Sequence, residues 1–407
     1  MLTQLFPKFH PRYTASPAAH WLEPFSDWLT AIGYAHKVAQ HHVCRLKEVL
    51  EHHRCVSLTS QFCEAALPRM FDHQKRQPLY RGTQRAFCRF LAHRGSLKIE
   101  SEPSQFSALL AHYRHHLTDL RGLSTSTIEQ HLTTVTEFLS HAVPGQPCLE
   151  ELSAAAVERY VDDCGRRVTR QTLQHIVARL RAFLRYCHDH GVVRCRLDAI
   201  DTPRAYRDEL PPRAVAWSQV QRLLDSVDLA SKAGWRDLAM LHLMAHYGLR
   251  PSEVVTLTLD AIDWRAQQLR IKQCKTRSIL VLPLTDRTMT LLQRYLRHGR
   301  PPTEHHELFL RVRTPAGSLK HYAPNEVFKK RAAQSDLALQ GFSAYSLRHA
   351  FALRLLNRGV GIKAIGDLLG HRTLESTCVY LRLQTDALRD VALPIPHLER
   401  KSIGRSS

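Results

Sequence analysis

Five side chains between residues 250 and 380 could do chemistry together: Arg250, Lys275, Arg348, His371 and Tyr380. Two guanidinium groups, an ammonium, an imidazole and a phenol, with no metal-binding motif beside them, suit one task, attack on a DNA phosphodiester by the phenol. The pentacoordinate transition state of that attack gathers negative charge. Fixed cations stabilise it without a metal, each preorganised contact being worth about 3 kcal/mol. A phenol with a pKa near ~10 is a poor nucleophile until its proton is removed or shared.

The local sequence says what must hold each group. Gly248 is a natural stop for the apolar run 235–247, and Pro251 a natural first residue of the next helix. Arg250 is therefore held at a tight junction, beside free N–H groups that favour anions. Glu253 would orient its guanidinium; read alone, the pair is a salt bridge that ties the junction. Arg348 sits among Ala344, Leu347, Ala350, Phe351, Ala352, Leu355 and Leu356, where a charge costs several kcal/mol unless paired. Its partner is either a buried carboxylate or a phosphate gripped by the planar fork. From Leu374, Cys378 and Leu381 continue one helical stripe, which sets Tyr380 about 100° off it, facing a cleft or another surface. Lys275, between aliphatic strands over 269–271 and 278–284, reads alone as a solvated hairpin lysine.

Together these residues resemble the tyrosine recombinase family, the phage-integrase-like site-specific recombinases. The resemblance covers about residues 102–392 and is strongest from 246 to 384. It lies in Gly248-Leu249-Arg250-Pro251-Ser252-Glu253, in Lys275 ahead of Pro283-Leu284, in Leu347-Arg348-His349, in Leu368-Leu369-Gly370-His371, and in Tyr380 nine residues after His371. It implies that Arg250 and Arg348 clamp the non-bridging oxygens, that His371 adds a donor, and that Lys275 protonates the departing 5′ oxygen. Tyr380 would form a 3′-phosphotyrosyl bond that conserves the energy for rejoining, with no cofactor and no metal. The resemblance further implies a tetramer on double-stranded recombination sites, with accessory recombinases or host factors as additional partners. One position departs: the family's histidine three residues before the second arginine is Tyr345 here. That histidine handles protons in the family, whereas Tyr345 offers a hydrogen bond to the phosphate. His349 projects about 100° from Arg348 along a helix and is not expected to take over the role.

Length and charge set the frame. A chain of 407 residues should hold two to three domains. Its net charge of +20, spread along the whole length, calls for a polyanionic partner, nucleic acid foremost. There is no apolar stretch of membrane-spanning length and no signal-peptide core, so the expectation is a soluble protein of the bacterial cytosol, associated with the nucleoid and not with a membrane. The ten cysteines form no CxxC pair and read as reduced, mostly buried thiols. The His and Cys residues of 41–44 and 52–55 match no zinc spacing.

Proline-containing breaks at 101–104 and 201–213 divide the chain. The expected fold is multidomain: a helical DNA-binding or assembly region (1–100), a helical core-binding domain (101–198), a linker (199–213), a mixed α+β catalytic domain, mainly helical with a small sheet (214–392), and a tail (393–407). Together they would clamp DNA in a C shape. Prolines keep the linker extended, which would bring Arg204 and Arg213 to the phosphate backbone. In the core-binding domain Leu173, Ile176, Leu180, Phe183, Leu184 and Cys187 form an apolar stripe. Gln174, Arg181 and Arg185 lie on a polar face that is either solvated or laid against DNA. A constant offset of 89 relates Gly33, Ala39, Val43, Leu46, Val49 and Leu50 to Gly122, Ile128, Leu132, Val135, Phe138 and Leu139, a faint echo of duplication. The tail after Leu381 would dock on a neighbouring protomer or on its own domain.

The function that follows is site-specific recombination or integration, mobilising a phage or transposon-like element. The rivals are a type IB topoisomerase and a DNA-binding accessory protein with an impaired site. A Tyr380 ring packed in the hydrophobic interior, or guanidinium groups on separate faces, would overturn the assignment.

Overall fold

The computed structural model describes residues 1–53, 62–64, 66–72, 77–98, 106–142, 149–202, 213–273 and 278–383. Lys275, Arg204, Cys55, Cys148, Cys274 and the tail beyond 383 lie outside the described residues. Contacts divide the chain into two compact units, one of residues 1–31 with 35–209 and the other of 32–34 with 210–407.

The first unit is helical, apart from a two-residue parallel pairing of Phe62–Cys63 with Leu97–Lys98. Its N-terminal half packs α1 (Ala19–Ala31), α2 (His36–His52) and α3 (Gln77–Arg94) around an aromatic cluster. Phe25 meets Phe87 edge-on at 5.7 Å and Phe90 at 5.4 Å, the geometry aromatic quadrupoles favour. The second half is built from α4 (Ser107–His115), α5 (Thr125–Ala142), α6 (Ala154–Arg167) and α7 (Arg170–Asp189). Ser153 and Thr169 cap α6 and α7 by accepting the amide three residues on. Ser124 does the same for α5, accepting from the Thr127 amide at 3.4 Å. The echo at an offset of 89 has a structural counterpart. Helices α2 and α5 each begin three residues after a glycine at positive φ, Gly33 and Gly122. Ala39, Val43, Leu46, Val49 and Leu50 are buried in the one, and Ile128, Leu132, Val135, Phe138 and Leu139 in the other.

On α7 the core stripe runs through Val177 rather than Ile176, which is only partly buried. Its polar face is occupied within its own unit: Arg181 donates to the Ile200 carbonyl, and Arg185 pairs with Asp198 at 3.0 Å. Thiols are less buried than the sequence suggests. Of the seven described cysteines, all free, Cys164 and Cys187 are buried and Cys195 is exposed.

The second unit surrounds α9 (Lys232–Tyr247), which follows α8 (Trp217–Asp225) and is buried over most of its surface, as its apolar sequence requires. Asp237 on α9 is fully buried, and it is compensated by Arg236 and Arg331, each at 2.7 Å. After α10 (Pro251–Thr256) comes an antiparallel sheet in the order β1 (Ile262–Asp263), β2 (Gln268–Gln273), β3 (Ser278–Pro283). Leu269, Ile271 and Gln273 face inward with period two, so β2 ends with Gln273 buried. Helices α11 (Asp286–Arg294), α12 (Ala323–Gln334), α13 (Tyr345–Leu356), α14 (Ile362–Leu369) and the single turn α15 (Glu375–Cys378) complete the unit.

Candidate active site

Two left-handed glycines aim backbone carbonyls at one point. Gly248 ends α9 at φ 64° and Gly370 ends α14 at φ 62°. Both positions also lack room. A Cβ on Gly248 would stand 2.6 Å from Phe351 Cδ1 and 2.7 Å from Leu369 Cδ2, and one on Gly370 only 2.1 Å from Gln273 Nε2. Glycine alone satisfies both the backbone sign and the close approach.

Arg348, on α13 and only 1 % exposed, reads these turns with its guanidinium. One amino group donates to Gly248 O at 2.6 Å; the other donates to Leu369 O at 2.8 Å and to His371 Nε2 at 3.0 Å. Its Nε is buried without a hydrogen-bond partner. Every acceptor is neutral: among the described residues no carboxylate hydrogen-bonds to Arg348, and Glu253 acts on it only through space. Burial and the neighbouring Arg250 guanidinium both push the Arg348 pKa down, the mark of a cation short of negative charge. Arg250 caps α10: its amide donates to Glu253 Oε2 at 2.8 Å and its guanidinium to Oε1 at 2.5 Å. Glu253 is buried and orients Arg250 as the sequence suggested.

His371 follows Gly370 directly. Because Arg348 can only donate, His371 Nε2 accepts, and its Nδ1, 2.8 Å from Thr377 Oγ1, carries the proton. In this arrangement its Nε2 is engaged by Arg348 instead of being free to donate to a phosphate. The last residue of β2 joins the same turn through its side chain: Gln273 Nε2 donates to Leu369 O at 3.4 Å.

At Tyr380 the structure departs from the sequence reading, which placed the ring off the buried stripe and facing a cleft or another surface. The stripe of Leu374, Cys378 and Leu381 is not the buried one: Leu374 is 57 % exposed, whereas Tyr380 is 2 % exposed. The Tyr380 ring packs with Phe351, Ala352, Leu356, Ile365 and Leu369, so the ring does enter an apolar interior. Its hydroxyl is buried as well, but beside polar side chains. The Arg348 charge acts on it through space, His349 Nδ1 lies 3.3 Å away, and the His371 ring stacks on the tyrosine ring at 6.5 Å. Burial pushes the Tyr380 phenol up to about 12, against the opposing pull of Arg348 and Arg250. The two guanidinium groups thus share one neighbourhood with the phenolic oxygen.

Tyr345 stands at the rim, 40 % exposed, with its ring edge-on to His349 at 4.9 Å. The sequence set His349 aside, and the structure brings it in. Successive side chains diverge by about 100° on α13, but the Tyr380 hydroxyl comes within 3.3 Å of His349 Nδ1. His349, Thr377 and Gln273 are the site residues sequence reasoning missed; only the adjacency of His349 to Arg348 offered a signal. Arg213 is exposed near Gly341, away from these contacts, and Lys275 lies outside the described residues. Among the described residues no group of three or more His, Cys, Asp or Glu could hold a metal, and no helix is long and apolar enough to cross a membrane.

Two family models and several known proteins match the chain. The profile of the Phage integrase family matches residues 214–386, and that of the Phage integrase, N-terminal SAM-like domain matches 110–191. The y4rA protein of Sinorhizobium fredii, an integrase/recombinase by name, is 30% identical over 93% of this chain and 95% of its own. Tyrosine recombinase XerD of Corynebacterium glutamicum is 28% identical over 68% of this chain and 93% of its own. Among solved structures, a lambda integrase dimer bound to a core site overlaps 74% of this chain and 86% of that one (TM-score 0.54, 15% identity). The Tn1549 transposon integrase with transposon right end DNA overlaps 70% and 99% (TM-score 0.53, 14% identity); both share the fold. With a relative this similar along nearly its whole length, the chain belongs to the phage integrase family of tyrosine recombinases, enzymes of site-specific DNA cleavage and rejoining.

Proposed function

We propose that Tyr380 is the nucleophile of this recombinase and that Arg250 and Arg348 hold the scissile phosphate. The observation that carries the reading is the Arg348 guanidinium, buried yet bonded to neutral acceptors alone. A cation so placed costs several kcal/mol, and a phosphate bound beside it and Arg250 supplies the missing charge. Tyr380 attacks phosphorus, the 3′-phosphotyrosyl bond forms as the bond to the 5′ oxygen breaks, and Lys275 protonates that oxygen. The reverse attack by a 5′ hydroxyl rejoins the strand without ATP. Tyr345, at the exposed rim, meets the phosphate edge. The Tyr380 hydroxyl is buried and burial holds its proton tightly, so the proton must pass to a base as the phenol attacks.

The chain's partners on this reading are two duplex recombination sites and further copies of itself, as a tetramer, with helper proteins where the element requires them. Its charge of +20 supports the DNA partner, and the similarity to a rhizobial integrase/recombinase supports a role in moving a phage or transposon-like element within the bacterial cytosol. Residues 1–100 are proposed as an additional DNA-binding or assembly region. Arg204 and Arg213 are proposed backbone contacts, while Arg181 and Arg185 would first have to release Ile200 and Asp198.

The test is trapping on a nicked suicide duplex followed by denaturing electrophoresis. Tyr380→Phe should bind the duplex as well as the wild type and give no adduct that survives denaturation. An undiminished adduct in that variant would end the assignment.

A further inference from the structure

We propose that His349 is the proton acceptor for Tyr380: its Nδ1 lies 3.3 Å from the phenolic oxygen and takes the proton as that oxygen attacks phosphorus. The inference rests on Tyr380 being the nucleophile. In the step, the Tyr380 O–H proton passes to His349 Nδ1, the O–P bond forms, and the bond from phosphorus to the 5′ oxygen breaks with its electron pair. That oxygen is protonated by Lys275. On rejoining, His349 returns its proton to the departing phenolate.

Three observations converge on this residue. The place where the family has a histidine is Tyr345, and His349 lies one helical turn further along the same face of α13, its ring 4.9 Å from that of Tyr345. Of the two positions, it is His349 that reaches the Tyr380 hydroxyl in the structure. His371, the other imidazole nearby, is committed on both nitrogens, to Arg348 and to Thr377. His349 is also held neutral, since burial and the Arg348 charge push its pKa down to about 4; a neutral imidazole accepts a proton where an imidazolium cannot.

The low basicity would be a handicap if it persisted during reaction. Arg348 contributes to it, and a phosphate bound at Arg348 and Arg250 offsets that charge, so the histidine gains basicity when substrate arrives. The other titratable groups around the pair are Tyr345 on α13, His371 stacked beside Tyr380, and Arg250 with Glu253 at the start of α10. None of them is a carboxylate in contact with His349.

The experiment uses full-length protein and duplexes selected from a random pool by binding to the Tyr380→Phe variant, then nicked as suicide substrates. Single-turnover adduct formation is followed between about pH 6 and 9. Removing a general base typically costs about 10²-fold or more, so His349→Ala should form adduct about 10²-fold more slowly at neutral pH. The deficit should shrink as pH rises, because hydroxide then removes the proton, whereas the wild-type rate should vary little. Replacing Tyr380 by a difluorotyrosine, whose phenol is more acidic, should recover about tenfold or more in His349→Ala and little in the wild type. His349→Asn, which keeps size and polarity, should behave like the alanine variant, and unchanged affinity for the selected duplex shows that both have folded. A deficit indifferent to pH and to phenol acidity, or no deficit at all, would overturn the proposal. If Tyr380→Phe forms adduct, the nucleophile assignment falls and this inference with it; if Tyr380→Phe is dead while His349→Ala matches the wild type, only the inference falls.

Discussion

Arg348 concentrates the chemistry of the site in one side chain. It donates to two carbonyls and an imidazole and to no carboxylate, which a planar five-donor fork can do and a lysine cannot. In Arg348→Lys a single ammonium would reach one carbonyl at most, leaving the other carbonyl unsatisfied and the phosphate edge lost. Losing one such contact costs roughly 10²–10³-fold in the chemical step. We therefore expect single-turnover adduct formation to fall by about that factor while duplex affinity changes far less, since affinity comes mainly from the distributed positive charge. An equal fall in both would mean that Arg348 merely binds. Much of this was legible beforehand: the apolar neighbours of Arg348 told of burial, and the spacing to His371 and Tyr380 told of a shared site. Its partners were not legible, because carbonyls presented by two distant turns leave no trace in residue types. His349 escaped notice for a related reason. Helical geometry separates neighbours by angle, and only the path of a later segment reveals that the Tyr380 hydroxyl reaches His349.

At the scale of elements, helix stops do the positioning. Gly248 and Pro251 could be read directly as a stop and a start, and α9, α10, β2 and β3 lie where those signals place them. Gly248→Ala tests the stop. The new methyl would meet Phe351 and Leu369 while the backbone stays at φ 64°, combining left-handed strain with overpacking, each of order 1–3 kcal/mol. We expect the second unit to lose about 2 kcal/mol or more in denaturant unfolding, with adduct formation impaired at temperatures where the variant remains folded; a change below about 0.5 kcal/mol would show that the turn relaxes freely. The Tyr380 segment shows where such reading stops. Its stripe argument needs a continuous α-helix from Leu374 to Leu381, yet α15 is one turn long and the chain then tightens through a turn into a 3₁₀ stretch over Leu381–Leu383. Once the period is interrupted, the angular position of Tyr380 is set by what it packs against, and residues far away in sequence decide that.

For the whole molecule, the question is how a chain with a net charge of +20 tolerates 26 histidines. In the second unit the inner ones are kept neutral. His242 is buried against Thr288 at 2.9 Å, and burial, with His246 and Arg287 behind it, pushes its pKa down to about 3. His246 and His349 are each pushed down to about 4. The sign of the linkage follows from this. A pKa lower in the folded state than the unfolded value near ~6.5 means that the unfolded chain binds the proton first. Above about pH 6.5 neither state is protonated and stability does not respond. As pH falls from about 6.5 toward 3, the His242 contribution is lost at up to ~1.4 kcal/mol per pH unit, and the loss levels off below the folded pKa. His246 and His349 act in the same direction until about pH 4. Hydrogen exchange of the α9 amides should therefore quicken progressively below about pH 6, once corrected for intrinsic exchange. His242→Gln, which keeps a polar partner for Thr288 but cannot titrate, should flatten that slope by up to one proton's worth. A wild-type protein equally protected at pH 7 and pH 5, or a variant with an unchanged slope, would show that these rings reach water or find an acid partner on protonation.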